Sequence, residues 1–138
     1  MALNWSERGR RVYVTDLRRA KEILVSGSAR EDIWQILRSF DVIQKLPEWL
    51  GERIATGITI VATNIFLIRN RHGHTKFLVL IATRGEDRAL VQIGLQYQKD
   101  KDTYKGTVEK VIIETGEKER DIRVRKPFFV QRNNLGRS

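Results

Sequence analysis

The spacing of apolar residues changes at Gly57 from a helical to a strand pattern, and this change constrains the fold more than any other feature. Before it, Ile33, Ile36, Leu37 and Phe40 recur at the spacing of one helix face. After it, five runs rich in β-branched and aromatic residues are separated by turn-like stretches; they cover 58–69, 75–83, 88–98, 107–114 and 119–125. This order predicts an α+β domain, with N-terminal helices packed on one face of an antiparallel sheet of four or five strands.

Two further helices are predicted upstream of Gly57. One occupies residues 16–26 after a short strand-like piece, and Gly27 suits its end. Ser28 and Glu31 match a capping box that would open the helix carrying Ile33. The last helix has Pro47 in its first turn and ends at Gly57.

The third strand run predicts how the sheet is covered. Its apolar residues alternate with polar ones: Ala89, Val91, Ile93, Leu95 and Tyr97 point one way, while Gln92, Gly94, Gln96 and Gln98 point the other. Such alternation is typical of a sheet with one covered face and one face at least partly in water.

Length and composition exclude several classes of protein. A chain of 138 residues suits one domain over 1–138, with an ordered core at about 10–130 and a loose tail at 131–138. Without cysteine, disulfides, zinc fingers and thiol catalysis are excluded. No signal peptide or membrane-length apolar run is found, so we expect a soluble, cytoplasmic protein. The single methionine and abundant Arg, Glu and Lys fit a heat-adapted source.

The net charge of +9 favours a polyanionic partner, either nucleic acid or an acidic membrane surface. No carboxylate lies between Glu52 and Glu86, whereas solubilising surface charges are usually mixed in sign. The alternative interpretation of this segment is a surface hairpin whose basic residues are only solvated and bind no partner. Basic residues predicted to hold phosphates lie in this segment and in two others: Arg10, Arg11, Arg53, Arg69, Arg71, Lys76, Arg123 and Arg125.

Aromatic residues lie among these basic residues, a combination that holds single-stranded nucleic acid by stacking on its bases. The candidates for stacking are Trp34, Trp49, Phe128 and Phe129. The alternative is that these rings belong to the core, as most aromatic side chains do.

The stretch IRNRHGHTKF contains both histidines of the chain. His72 and His74 can approach each other, but a zinc site needs three or four ligands and the nearest acids in sequence fall in the next turn. No nucleophilic triad, P-loop, dinucleotide-binding turn or two-metal acid cluster is found. We therefore predict no catalytic residue, metal or cofactor, and interpret the stretch as a phosphate clamp at a hairpin tip.

The helices DIWQILRSF and LPEWLGERIA, followed by a basic antiparallel sheet in a small cysteine-free chain, resemble the archaeal ThermoDBP family of single-stranded DNA-binding proteins. The resemblance covers about residues 10–130 and rests on organisation and composition. It implies a cleft with an aromatic floor and a basic rim, with Trp34 or Trp49 stacking and Arg69, Arg71 and Lys76 on the rim. The leucine zipper through which the founding group dimerises has no counterpart here.

These features predict a non-enzymatic protein that binds single-stranded DNA or RNA with little sequence preference. One rival hypothesis is a scaffold subunit that meets an acidic protein or structural RNA in a larger complex. Another is a metal-dependent nuclease that uses His72 and His74. A homodimer stays open as well, because edge strands of the sheet could pair between chains.

Overall fold

The structure is a computed structural model that describes residues 25–71 and 74–132, apart from the side chains of residues 69–71. Helices come first: α1 (Gly27–Arg38), α2 (Phe40–Ile43) and α3 (Glu48–Thr56). None of these three is long and apolar enough to cross a membrane. Strands follow: β1 (Ile60–Arg71), β2 (His74–Thr83), β3 (Arg88–Gln98), β4 (Thr103–Thr115) and β5 (Lys118–Gln131). Each strand pairs antiparallel with the next in one sheet, which confirms the predicted α+β fold.

The first three strands begin and end within two residues of the prediction, whereas the last two differ more. β4 begins at Thr103, four residues before the predicted start, and β5 continues six residues past 125 to Gln131. Pro127 and the charged stretch before it interrupt the strand pattern in the sequence. The sheet accepts this proline because β5 is an edge strand, where a missing N–H is tolerated.

Two details of the predicted helices are wrong. The N-cap of α1 is Ser26, which makes no side-chain capping hydrogen bond, so Ser28 and Glu31 do not form a capping box. Phe40 was expected on the buried face, but its side chain is 78% exposed. The helix breaks at Ser39, whose extended backbone (φ −66°, ψ 148°) starts α2 in a new direction and buries Val42 instead.

The main core lies between the helices and one face of the sheet, as predicted. Each helix contributes fully buried side chains, including Ile36 of α1, Val42 of α2 and Leu50 of α3. They pack in one cluster with residues of the sheet, among them Val79, Val91, Ile93, Val108, Val111 and Phe128. Burying each such side chain contributes about 1.5–3 kcal/mol. This core fixes which strand residues point to the opposite face.

The opposite face of the sheet is divided into an apolar half and a polar half. A second apolar cluster, with every member at most 8% exposed, consists of Phe66, Ile68, Leu78, Leu80, Leu90 and Ile112. Farther along β2, β3 and β4 the same face carries Lys76, Gln92, Gly94 and Lys110. The polar half agrees with the prediction from the alternation in β3 that this face lies at least partly in water.

Both edge strands have backbone groups that bond to the helical side of the molecule. On β1, the carbonyl of Ile65 accepts from the Val25 N–H at 2.8 Å, and the carbonyl of Thr63 accepts from the Arg30 guanidinium at 3.0 Å. On β5, the N–H of Phe129 donates to the Asp41 carboxylate of α2 at 2.8 Å. The helices are thus tied to both edges of the sheet.

Several predictions fall outside the described residues. They are the strand-like piece before residue 16, most of the helix at 16–26, and all but the first two residues of the tail at 131–138. Of that tail, Gln131 ends β5.

Candidate nucleic-acid interface

Three of the predicted phosphate-binding residues come to the polar half of the second sheet face. Lys76 alternates with Leu78 of the second cluster, and Arg123 pairs directly with Lys110 across β4 and β5. Arg125 lies next to them. We call this surface the basic face; its members are Lys76, Lys105, Lys110, Arg123, Arg125 and the aromatic Phe129.

The carboxylate of Glu109 contacts side chains on two neighbouring strands at one side of the basic face. Glu109 accepts a hydrogen bond from the Gln92 amide at 3.2 Å and forms an ion pair with Lys76 at 2.9 Å. The carboxylate passes over Gly94, whose ideal Cβ position lies 3.9 Å from the Glu109 carboxyl carbon, an ordinary van der Waals distance. The carboxylate can therefore extend across β3 to reach β2. The charge of Lys76 is balanced, and Lys76 is less available to a phosphate than its neighbours.

Three of the remaining basic residues, Lys110, Arg123 and Arg125, line a pocket of about 500 Å³. Its lining consists of Gln92, Thr107, Glu109, Lys110, Arg123 and Arg125. Within the described residues, Lys110, Arg123 and Arg125 form no ion pair. Like charges directly opposite each other in a sheet are destabilising, so the Lys110–Arg123 pair works against the stability of the fold. An anion bound in the pocket would relieve that repulsion.

An irregularity in the β4–β5 ladder shapes this pocket. The register shifts between Val108 and Lys110, and Arg125 has a backbone φ of 48°. A residue other than glycine is unfavourable in this left-handed region, at a cost of about 1–2 kcal/mol. Such bulges redirect side chains and are frequent beside functional sites.

The two phenylalanines of β5 have opposite environments. Phe128 was predicted to stack on bases, but it is 1% exposed and belongs to the main core, so that prediction is wrong. Because neighbouring strand residues point to opposite faces, Phe129 lies on the basic face, 58% exposed and paired with Lys105. An exposed ring beside a lysine suits base stacking.

Trp34 lies elsewhere, in an open groove of about 580 Å³ on the edge where α1 meets the start of β1. The groove combines basic and apolar side chains, among them Arg30, Arg38, Trp34, Ile58 and Val61. Arg30 is largely held by the protein, since its guanidinium donates to the Thr63 hydroxyl at 2.6 Å and to Glu31 at 3.2 Å. The structure therefore does not bring Trp34 to the basic face.

Trp49 and Arg53 interact with each other on α3. The Arg53 guanidinium lies over the Trp49 ring, 3.9 Å from its centroid, and donates to the Trp49 carbonyl at 2.9 Å. One side of the ring is therefore covered and the guanidinium is engaged. Neither residue lines the basic face or the Trp34 groove.

The other predicted residues are only partly described. Arg10, Arg11 and His72 lie outside the described residues. For Arg69 and Arg71 only the backbone is described; Arg69 pairs with Lys76, and Arg71 pairs with His74. This register places all three basic residues at one end of the β1–β2 hairpin, as predicted. Among residues 25–71 and 74–132, no group of three or more potential metal ligands is found.

Lys105 and Lys110 were not among the residues predicted to bind phosphate, although the sequence contains the signal that places Lys110. β4 and β5 are joined by the two residues Gly116 and Glu117, and Gly116 has the positive φ (59°) that a tight hairpin needs. Counting outward from such a turn places Lys110 opposite Arg123. Lys105 lay before the predicted start of β4.

Comparisons with known proteins identify no relative of this chain. No family model matches the sequence. No curated protein and no solved structure gives a significant match. The resemblance to the ThermoDBP family therefore stays a prediction.

Proposed function

We propose that this protein binds single-stranded nucleic acid on the basic face, without catalysing a reaction. Lys110, Arg123 and Arg125 contact consecutive phosphates, Lys105 extends the track, and Phe129 stacks on a base. Arginine suits this role because its planar guanidinium binds phosphate through two hydrogen bonds. Contacts of this kind are largely independent of sequence.

The observation that supports this proposal most is the cross-strand pair Lys110–Arg123 beside Arg125. Within the described residues the three side chains share a pocket without forming an ion pair, and Arg125 is held in an unfavourable backbone conformation. Both features cost stability, and a bound phosphate chain compensates for the first of them. The exposed ring of Phe129 on the same face supports a single strand, whose bases are free to stack.

Fluorescence anisotropy with labelled single-stranded DNA, single-stranded RNA and duplex of equal length, across a salt series, tests the proposal. Four basic contacts predict that log K falls with log salt at a slope of about −3 for single strands. Arg123→Gln should make this slope shallower by about 0.7. Phe129→Ala should weaken single-strand binding about tenfold with little change in slope.

Arg84→Gln is the matched control, because Arg84 is exposed in the β2–β3 turn, away from the basic face, and loses the same charge. It should leave both affinity and slope nearly unchanged. If Arg84→Gln weakens binding as much as Arg123→Gln, the net charge alone attracts the polyanion and the basic face is not a site.

A scaffold subunit is the second candidate function, and the exposed apolar residues of the Trp34 groove favour it. Ile58 is 74% exposed and Val61 is 58% exposed, and exposed apolar patches often mark protein interfaces. A scaffold subunit would elute with a partner and bind free oligonucleotides weakly. Strong binding of free oligonucleotides by the isolated protein, weakened by Arg123→Gln but not by Arg84→Gln, contradicts this alternative.

A further inference from the structure

A second pocket lies on the helical side of the sheet, between α1 and the end of the sheet near the β3–β4 turn. It has a volume of about 210 Å³. Most of its lining is aromatic or aliphatic, from Ala29, Ile33, Ile36, Phe77, Leu95, Tyr97 and Tyr104; the polar members of the lining are Asp32 and Thr75. A pocket of this size and lining suits one flat aromatic group.

The two tyrosine rings of this aromatic pocket are held in place. Their centroids are 5.1 Å apart with the rings tilted by 44°. The Tyr97 hydroxyl donates to the Asp102 carboxylate at 2.6 Å, and this hydrogen bond raises the pKa of Tyr97. The Arg132 guanidinium lies 5.7 Å from the centroid of the same ring and 3.7 Å from Asp102. Rings fixed in this way lose little conformational entropy when a ligand stacks on them.

Among the described residues that line the aromatic pocket, only Asp32 is charged. Asp32 and Tyr104 line the same pocket, and burial first, then the negative charge of Asp32, raises the pKa of Tyr104. Asp32 forms no ion pair within the described residues. An ionised carboxylate only accepts hydrogen bonds. A ligand group that replaces water at Asp32 should therefore be a hydrogen-bond donor.

The aromatic pocket and the basic face meet at the same end of the sheet. Tyr104 and Lys105 are neighbours in β4 and point to opposite faces, as do Phe77 and Lys76 in β2. A nucleic-acid strand bound on the basic face can therefore reach the aromatic pocket by turning around this end of the sheet, where β2 begins and β4 begins. The bases of single-stranded nucleic acid are unpaired, so one base can be turned out of the strand and stacked on a tyrosine ring.

We infer that the aromatic pocket receives one base of the bound strand and that Asp32 accepts a hydrogen bond from its amino group. Cytosine, adenine and guanine carry such a group, whereas thymine and uracil place carbonyl oxygens on both sides of their single ring N–H. The site therefore discriminates between bases, which phosphate contacts alone do not. This inference rests on the proposed function, because it requires a strand on the basic face.

The test compares the affinities of equal-length oligo-dC, oligo-dA and oligo-dT for the full chain by competition anisotropy at fixed salt. Oligo-dC and oligo-dA should bind about tenfold more tightly than oligo-dT, the value of one good base contact. Asp32→Asn should remove this preference, because an amide can also donate to a carbonyl oxygen. Asp100→Asn, the same change in the exposed β3–β4 turn, should preserve it.

Equal affinity of the wild-type protein for all three oligonucleotides overturns the inference, and so does a preference that survives in Asp32→Asn. In either case a salt slope near −3 still supports the proposed function. If no oligonucleotide binds with a salt-dependent affinity, the proposed function and this inference fail together. Circular dichroism of Asp32→Asn confirms that the variant is folded before its affinities are compared.

Discussion

At the scale of single residues, the buried ring of Phe128 on β5 packs directly against Gly106 on the neighbouring strand β4. A Cβ on Gly106 would collide with the carbonyl oxygen of Gly94 and come within 2.6 Å of the Phe128 ring. The ring thus occupies the space above a residue without a side chain. Glycine is needed here for the close approach of an aromatic ring, since its backbone φ is not in the left-handed region.

Gly106→Ala should therefore destabilise the fold. Overpacking of this kind costs about 1–3 kcal/mol, because neither the Gly94 backbone nor the buried ring can move away freely. Chemical denaturation measures the loss. Gly94→Ala is the control, since its nearest contact would be the flexible Glu109 side chain at 3.9 Å; it should change the free energy of unfolding by less than about 1 kcal/mol. Equal losses in both variants would contradict this explanation.

At the scale of secondary structure, β5 combines a structural and a binding role. Its helix-facing residues Phe128 and Val130 belong to the main core, while Arg123, Arg125 and Phe129 lie on the basic face. The bulge lies between Arg123 and Lys126 and contains Arg125, which takes a left-handed conformation there. The backbone of β5 is thus locally strained at Arg125, and this residue lines the pocket of the basic face.

Two substitutions at Arg125 separate strain from charge. Arg125→Ala and Arg125→Gly both remove the guanidinium and should weaken single-strand binding equally. Arg125→Gly should be more stable than Arg125→Ala by about 1–2 kcal/mol, because glycine adopts a φ of 48° without steric cost. Denaturation and anisotropy on the same two proteins give both values. If the alanine variant is as stable as the glycine variant, Arg125 is not strained.

At the scale of the whole molecule, an excess of positive charge on a small domain opposes compaction through self-repulsion. The described residues contain few ion pairs, and the basic face is nearly uncompensated. Added sodium chloride screens repulsion between exposed charges over a distance that shortens as the salt concentration rises.

The melting temperature should therefore rise with sodium chloride between about 0.05 M and 0.5 M, where the screening length falls to a few ångströms. Thermal unfolding followed by circular dichroism measures this. The doubly substituted Lys110→Gln/Arg123→Gln protein should show a smaller rise, because the repelling pair is gone. A wild-type melting temperature that falls with salt would indicate that attractive ion pairs dominate instead.

The sequence predicted the fold class because the two apolar periodicities do not overlap: Ile36 and Leu37 fit a helix, and Ala89 to Leu95 fit a strand. The side-chain directions of Phe40 and Phe128 were predicted wrongly. A break in the helix at Ser39 exposes Phe40, and Phe128 lies in the part of β5 beyond the predicted end of the strand. The basic face was found only in part. Arg123 and Arg125 stood out by alternation, whereas Lys105 required knowing where β4 begins.

The hydrogen bonds at the two edges have a consequence for aggregation. An edge strand with free backbone groups is a template on which further chains can add, ultimately as fibrils. On β1 two carbonyls are occupied by Val25 and Arg30, and on β5 the Phe129 N–H is occupied by Asp41. An incoming strand would have to displace these partners first. The helical segment thus covers part of both edges, and this partial cover should hinder the addition of further chains to the sheet.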